Sequence, residues 1–319
     1  MKIIEIIQNA TETLFSFEIL PPKKGDSINS IYQTIDPLMK FNPAFIDVTY
    51  HREEVVYQKM EGGLLKKKVV KKRPGTVGIS AAIKNKYKVE VVPHIICGGF
   101  TAEETENGLI DFHFLGINNL FAIRGDNLPG ERHFKPEPEG HTYAEELVQQ
   151  IIGMNSGKYH ENDILETSKT QFSIGVAGYP EKHVESPNVQ SDIKYLKKKI
   201  DAGAEYIITQ MFFDNQKFIA FVQRCREAGI NVPIIPGLKP IATKKQLTTL
   251  SQIFNIDIPE TLSLKVEACK DASEVKKVGI DWCIQQSKEL REFGVPVLHY
   301  YTMSQSDNIR QIAEAVFKK

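Results

Sequence analysis

The residues best suited to chemistry stand at the ends of short apolar runs along the 319-residue chain. Carboxyl, imidazole, hydroxyl and amide groups recur there, and these are the side chains that transfer protons or bind polar ligands. Burying unpaired polar groups is costly, so their recurrence at the ends of several runs indicates one shared polar site. These positions are Glu18, Thr49, His94, Arg124, Gly125, Asp126, Tyr179, His183 and Gln210.

The runs that carry these residues are rich in β-branched and aromatic side chains. Most of them are continuously apolar, which is typical of strands buried on both faces of a parallel sheet. The predicted strands are 14–20, 45–50, 89–96, 119–124, 172–177, 206–210, 232–237 and 297–301. Helical patterns lie between them, over 28–39, 101–114, 191–202, 215–228, 272–293 and 308–317.

This alternation predicts a (β/α)8 barrel, the TIM-barrel form of the α/β class, as a single domain over residues 1–319. A doubly wound open sheet is the alternative that alternation alone leaves open. Regions 52–74, 127–141 and 155–168 are expected to be long loops. Barrel active sites lie where the strands end, so the pattern indicates a barrel enzyme with a polar mouth.

Composition and motifs exclude several other classes of protein. Forty Lys and Arg residues balance forty Asp and Glu residues, so no net charge favours binding to nucleic acid or to a membrane surface. The N-terminal apolar stretch is short and interrupted by Glu5, unlike a targeting signal. The four cysteines are far apart, as expected of reduced thiols in a cytoplasmic protein. No G-x-G-x-x-G, P-loop or metal-ligand spacing occurs, so no metal is predicted.

Ordered motifs in the chain resemble those of the methylenetetrahydrofolate reductase family. The first, Phe17-Glu18-Ile19-Leu20-Pro21-Pro22, resembles the F-E-x-x-P-P start of that family. The set covers nearly the whole chain, and its order makes it highly specific. The further motifs are Asp47 to Tyr50, Pro93 to Cys97, Arg124 to Asp126, Gly178 to His183, Lys197 to Ala204, Thr209 to Asp214, Ile235 to Pro240 and His299 to Thr302.

The resemblance implies a barrel that contains FAD. Members of the family move hydride from NADH or NADPH to flavin, and then to 5,10-methylenetetrahydrofolate, which becomes 5-methyltetrahydrofolate. That product supplies methyl groups for methionine synthesis. The chain is similar to the catalytic barrel alone, as in bacterial members, and a homo-oligomer is expected.

The resemblance also assigns roles to individual residues. Glu18 is the general acid that protonates the leaving nitrogen of the substrate, and Asp126 stabilises the cationic iminium beside the flavin. Gln210 and Gln246 contact the folate. The residues assigned to FAD are Thr49, His94, Arg124, Gly125, Asp126, Tyr143, Ala144, Tyr179, His183, Asp192, Tyr195, Lys198 and Lys199. Leu250, Gln305, Tyr195 and Lys198 depart from the enteric pattern.

Other readings of the same residues remain open at this stage. Glu18 could form an ion pair with Arg124 instead of acting as an acid. Another flavin-dependent barrel, such as a proline dehydrogenase, is one alternative, and a non-catalytic barrel that binds folate or flavin is another. The basic run at 66–73 is expected to be solvated, with attraction of an anionic substrate as a weaker hypothesis.

Overall fold

The computed structural model describes residues 1–128, 131, 133–160, 167–303 and 305–318. Strands and helices alternate along this part of the chain. The strands are β1 (Leu14–Ile19), β2 (Phe45–Val48), β3 (Glu54–Lys59), β4 (Leu65–Val70), β5 (Glu90–Ile96), β6 (Asn119–Ile123), β7 (Ser173–Gly178), β8 (Tyr206–Thr209), β9 (Ile234–Ile235), β10 (Gly237–Leu238) and β11 (Val297–Tyr301). The helices are α1 (Ile3–Asn9), α2 (Asn29–Ile35), α3 (Thr76–Tyr87), α4 (Ala102–Phe114), α5 (Ala144–Asn155), α6 (Val189–Asp201), α7 (Asn215–Glu227), α8 (Gln246–Phe254), α9 (Glu260–Glu267), α10 (Ala272–Phe293) and α11 (Ser306–Phe317). Short 3-10 helices span Asp36–Phe41 and Glu61–Gly63.

Among the described residues, nine strands form one parallel sheet that curves into a nearly closed barrel, in the order β10-β11-β1-β2-β5-β6-β7-β8-β9. β9 and β10 are two pieces of the predicted seventh strand, because Pro236 between them has no N–H to donate to a ladder. Ile235 pairs with Ile208, whereas Gly237 pairs with His299. The split strand therefore joins the two sides of the sheet, and the predicted single-domain (β/α)8 fold is confirmed.

Apolar side chains fill both the inside of the barrel and the layer between its strands and the outer helices. Inside, Phe45, Val92 and Tyr206 pack together, and Ile3 and Ile7 of α1 cover the end at which the strands begin. The opposite end, where the strands finish, is left for polar side chains. Burial on both faces explains why the strands read as continuous apolar runs in the sequence.

Capping interactions define the ends of several helices. The Glu104 backbone N–H donates to the Thr101 hydroxyl, and the Thr101 N–H donates to the Glu104 carboxylate, which forms a capping box at the start of α4. Gly203 and Gly229 have φ values of 120° and 76°. These positive-φ glycines follow α6 and α7 and end them.

The prediction of a loop over residues 52–74 was wrong, because this segment contains the antiparallel hairpin of β3 and β4. Gly62 and Gly63 at its tip both have positive φ, which allows the chain to reverse. Val55 lies opposite Val69 across the two strands. The many lysines of β4 had obscured this β-branched pairing in the sequence.

The other two predicted loops are described only in part. Residues 127–141 contain no helix or strand in their described portion, and 129–130 and 132 lie outside the described residues. Within the predicted loop 155–168, residues 161–166 also lie outside the described residues. The sequence patterns had not indicated the helices α1, α3, α5, α8 and α9.

Candidate active site at the carboxyl ends of the strands

The end of β1 carries Glu18 into the mouth of the barrel. Glu18 Oε2 lies 3.5 Å from Nε2 of His94 on β5, and the Glu18 side chain is 12% exposed. The Thr49 hydroxyl also approaches this carboxyl. Burial raises the pKa of Glu18, and the nearby His94 opposes this effect only in part. Glu18 therefore keeps its proton at a higher pH than an exposed glutamate does.

A second carboxyl, that of Asp47 on β2, approaches the same imidazole nitrogen. Asp47 Oδ2 lies 3.4 Å from His94 Nε2, and Asp47 is fully buried. Burial raises the pKa of Asp47 well above its usual value and lowers the pKa of His94. The site thus holds two carboxyls that approach the same nitrogen of an imidazole that is neutral at neutral pH.

Arg124, at the end of β6, does not pair with Glu18, the partner that the sequence had left open. Its guanidinium donates to Glu185, whereas Glu18 lies against His94. The alternative of a Glu18–Arg124 ion pair was therefore wrong. The reason is that Glu185 comes from the loop after β7, which the fold brings over the end of β6.

The chain turns sharply after Arg124, and this turn places Asp126 in the mouth. Gly125 has a φ of 87°, which favours glycine. Burial is the main cause of the raised pKa of Tyr179, and nearby carboxylates that include Asp126 add to it. Burial and Arg73 lower the pKa of His51, while Asp126 acts in the opposite direction. Asp126 is thus close enough to act on residues of two different loops.

A cavity of about 400 Å³ lies beside the mouth, over the ends of β6 and β7 and between α5 and α6. Its volume falls in the range of small-molecule sites. Most of the residues that the resemblance assigned to the cofactor line it. They are Arg124, Tyr143, Ala144, Tyr179, His183, Asp192, Tyr195, Lys198 and Lys199.

The electrostatics of this cavity centre on α6. Lys199 Nζ donates to the Ala177 carbonyl at 2.6 Å, and burial lowers the pKa of Lys199 to about 8, although Asp192 opposes the shift. The Asp192 carboxylate accepts hydrogen bonds from the Ser186 hydroxyl at 2.7 Å and from the His183 N–H at 3.2 Å. Asp192 therefore holds the loop after β7 against α6, and Lys199 is left as a poorly compensated cation.

Two exposed tyrosines stand at the opening of the cavity. Tyr143 precedes α5 and is 58% exposed, while Tyr195 lies on α6 and is 54% exposed. Lys198 lies 5.9 Å from the Tyr195 ring centroid, and its Nζ is 3.9 Å from a Glu145 oxygen. Flat apolar rings and a cation thus share the solvent-facing side.

The two glutamines that the resemblance assigned to the folate have different surroundings. Gln210 follows β8, and its side-chain oxygen accepts a hydrogen bond from the Met211 N–H at 3.0 Å. Gln246 begins α8, and its oxygen accepts from the N–H groups of Ala242 at 2.7 Å and Thr243 at 3.3 Å. The Gln246 oxygen thus accepts two hydrogen bonds and is saturated, whereas the Gln210 oxygen accepts one and can still accept a second.

Sequence reasoning assigned no role in the site to Asp47, His51 or Tyr301. Tyr301 ends β11, and its hydroxyl donates to the Thr209 carbonyl at 2.6 Å. A signal for Asp47 was present, since it stands two positions before Thr49 and side chains alternate along a strand. An acid at an inward position of an apolar strand is therefore a sign of the site.

These features define a class of protein: a (β/α)8 barrel with an acid at the carboxyl end of its first strand and a cavity lined by cations beside it. Within that class the sequence gives the family. The profile of methylenetetrahydrofolate reductase matches residues 2–316, and the chain belongs to this family.

Individual relatives cover the chain to different extents. The 5,10-methylenetetrahydrofolate reductases of Salmonella typhimurium and Escherichia coli are 32% identical over 293 residues, which make up 92% of this chain and 86% of each enzyme. Methylenetetrahydrofolate reductase (NADH) 1 of Arabidopsis thaliana is 33% identical over 317 residues, 95% of this chain. The chain spans about half the length of that plant protein, 49%.

A solved structure supports the fold. It is an uncharacterised protein from Clostridium thermocellum, described as binding two copies of 5-methyl-5,6,7,8-tetrahydrofolic acid. It aligns with a TM-score of 0.56 and 15% identity, over 98% of this chain and 97% of its own. This similarity shows a shared barrel fold.

Three further features of the described residues concern helix length, metal ligands and thiols. No helix in the described ranges is long and apolar enough to cross a membrane. The described His, Cys, Asp and Glu side chains form no group of three or more that could hold a metal ion. All four cysteines are buried free thiols.

Proposed function

We propose that this chain reduces 5,10-methylenetetrahydrofolate to 5-methyltetrahydrofolate, with hydride that comes from NADH or NADPH by way of bound FAD. Membership of the family supports the reaction, as do the names of bacterial relatives matched over 86% of their length. The structural observation that carries the proposal is the Glu18 carboxyl at the mouth, whose pKa is raised by burial.

Glu18 supplies the proton that the substrate needs before hydride can arrive. Protonation of the leaving nitrogen opens the five-membered ring of the folate and produces an iminium cation, which then accepts the hydride. One proton and one hydride are consumed in each turnover. Glu18 gives up the proton, and its 12% exposed side chain regains one from solvent once the product has left.

Asp126 and Gln210 act on the substrate from other strand ends. The Asp126 carboxylate places a negative charge at the mouth, which stabilises the iminium cation. Gln210 offers the pterin edge both amide N–H donors and the lone pair of its oxygen that the Met211 N–H leaves free. Gln246 is restricted to donating, because its oxygen already accepts from the Ala242 and Thr243 N–H groups before α8.

The cavity beside the mouth fits the adenosine diphosphate part of FAD. Lys199, Lys198 and Arg124 offer positive charge to the phosphates. Lys199 uses one of its three N–H donors on Ala177, so an anion would satisfy the others. Thr49, His94 and Gly125, at the adjoining strand ends, would contact the flavin ring. When bound, FAD supplies the group that accepts hydride from the nicotinamide and passes it to the folate.

The cellular setting belongs to the same proposal. The product is a methyl donor for methionine synthesis, and we place the protein in the cytoplasm, as a homo-oligomer. The buried free thiols are consistent with a reducing compartment. A proline dehydrogenase or a non-catalytic folate- or flavin-binding barrel fits less well, because the profile of methylenetetrahydrofolate reductase covers residues 2–316.

Glu18→Gln tests this proposal through the two half-reactions, measured separately under anaerobic conditions. The variant is expected to accept electrons from NADH or NADPH at close to the normal rate and to lose reduction of methylenetetrahydrofolate. Glu205→Gln is the matched control, because Glu205 lies at the opposite end of the barrel, where it accepts a hydrogen bond from Ser173. Retention of folate reduction in Glu18→Gln, or loss of both half-reactions, would contradict the assignment.

A further inference from the structure

Asp47 is sealed inside the barrel, and the roles proposed above give it no task. Its side chain is fully buried, and its Oδ1 atom has no hydrogen-bond partner among the groups that the structure describes. An unpaired polar atom in the interior destabilises a protein. A buried acid two positions before Thr49, and next to the reacting carboxyl, therefore calls for a functional reason.

Asp47 and Glu18 compete for a single atom. The Oδ2 atom of Asp47 is 3.4 Å from His94 Nε2, and the Oε2 atom of Glu18 is 3.5 Å from it. The other ring nitrogen, Nδ1, has no partner within the described part of the chain. A neutral imidazole carries either a hydrogen or a lone pair at Nε2, so this atom makes one strong hydrogen bond at a time.

We propose that Asp47 is a positioning residue that occupies His94 and thereby keeps Glu18 in its proton-donating form. This role rests on the proposed function, in which Glu18 protonates the folate. With Nε2 engaged by Asp47, a Glu18 carboxylate lacks the one donor on β5 that could stabilise it. The protonated acid therefore persists to higher pH.

The hydroxyl beside Glu18 acts in the opposite direction, since the hydrogen bond from Thr49 lowers the pKa of Glu18. This opposition is limited, because Thr49 Oγ1 has one hydrogen and also lies 3.1 Å from the Ile19 carbonyl, to which it donates. Burial therefore remains the largest influence on the Glu18 pKa, which is raised.

The remaining titratable groups around the two acids are neutral near pH 7. Burial raises the pKa of Tyr206 on β8 and of Tyr301 on β11 well above the usual tyrosine value. Burial lowers the pKa of His299 on β11 to about 3. The pKa of His51, which follows β2, is lowered by burial and by Arg73. None of these groups brings a positive charge that would replace His94 as a partner for Glu18.

The test compares Asp47→Val with Asp47→Asn in the folate half-reaction. Prereduced protein is mixed anaerobically with methylenetetrahydrofolate across a pH series. The quantity measured is the alkaline limb of the pH–rate profile, that is, the pH at which the rate falls to half as the pH rises. Valine removes the competitor, so Nε2 becomes free to donate to Glu18, and the limb is expected to move down by about one pH unit or more. Asparagine still bonds to Nε2 in either orientation of its amide, so its limb is expected to stay near that of the unmodified protein.

A control and a stability measurement separate this role from a structural one. Ser16→Ala changes a buried polar residue of β1, the strand beside β2. Ser16 bonds to His299 Nδ1 at 2.9 Å, and the variant is expected to leave the alkaline limb in place. Asp47→Val is expected to melt no lower than the unmodified protein, since an unpaired buried carboxyl has been removed. If the valine variant does not fold, Asp47→Ala removes the same competitor for His94 Nε2.

The outcomes distinguish this role from the function on which it rests. An active Asp47→Val with an unchanged limb, or an equal shift in Asp47→Asn, would overturn the role proposed for Asp47. Absence of folate reduction by the unmodified protein at every pH would instead overturn the proposed function.

Discussion

Lys199 is expected to make FAD binding dependent on pH. Burial lowers its pKa to about 8, whereas an ordinary lysine titrates at roughly 10.4. A phosphate anion beside the ammonium group favours the charged form and raises this pKa again. Binding then takes up a proton wherever Lys199 is neutral in the free protein, so affinity is level below pH 8 and falls above it.

The size of the effect follows from the pKa of the free protein. At pH 9 only about one Lys199 in eleven is charged, so the Kd for FAD is expected to rise about tenfold between pH 7 and pH 9. Titration of flavin-free protein with FAD, followed by flavin fluorescence, measures this directly.

Two methionine variants show whether Lys199 is the group responsible. Lys199→Met removes a hydrogen bond from a charged donor, worth about 1.5–3 kcal/mol, and is expected to weaken binding at pH 7 by about 10- to 160-fold. It should also abolish the pH dependence. Lys198→Met is the control, because the Lys198 side chain is 49% exposed, and it should keep the tenfold change. A level Kd in the unmodified protein, or equal behaviour of the two variants, would refute the reasoning.

Three further predictions concern helix packing and surface charge. Gly108→Ala in α4 is expected to stabilise the protein by up to about 1 kcal/mol, because its new Cβ meets nothing within 4 Å and alanine is the better helix former. Gly279→Ala in α10 is expected to lower the free energy of unfolding, since its Cβ would overlap the Ile241 carbonyl. Urea denaturation measures the stability of both glycine variants. Equal stability of Gly279→Ala and the unmodified protein would contradict the packing of α10. Replacing Lys66 and Lys67 with glutamine is expected to raise KM for the anionic dinucleotide at low salt but not at high salt, and an unchanged KM at low salt would exclude attraction by the basic run.

The barrel could be predicted from the sequence because its strands are buried on both faces. Such strands leave continuous apolar runs, and the eight runs correspond to the parallel strands of the structure. The seventh run was predicted too long, since Pro236 interrupts its ladder. The hairpin of β3 and β4 was missed because the three consecutive lysines Lys66, Lys67 and Lys68 break the apolar pattern of β4, and a solvated strand has the composition of a loop.

The candidate site could be predicted only as a set of strand ends. Period-two alternation places Glu18 and Asp47 inside the barrel, but it gives no distance between them. That both lie within 3.5 Å of one His94 nitrogen depends on how three strands are staggered in the closed barrel. The partner of Arg124 likewise depends on the path of the loop that carries Glu185.

The central claim is that this barrel passes electrons from a nicotinamide to methylenetetrahydrofolate through a bound flavin. Anaerobic mixing of the FAD-loaded protein, first with NADH or NADPH and then with methylenetetrahydrofolate, tests it most directly. The flavin absorbance is expected to bleach with the first reagent and to return with the second, with one 5-methyltetrahydrofolate formed for each flavin reoxidised. Protein that takes up no FAD, or reduced flavin that the folate leaves bleached, would contradict the account.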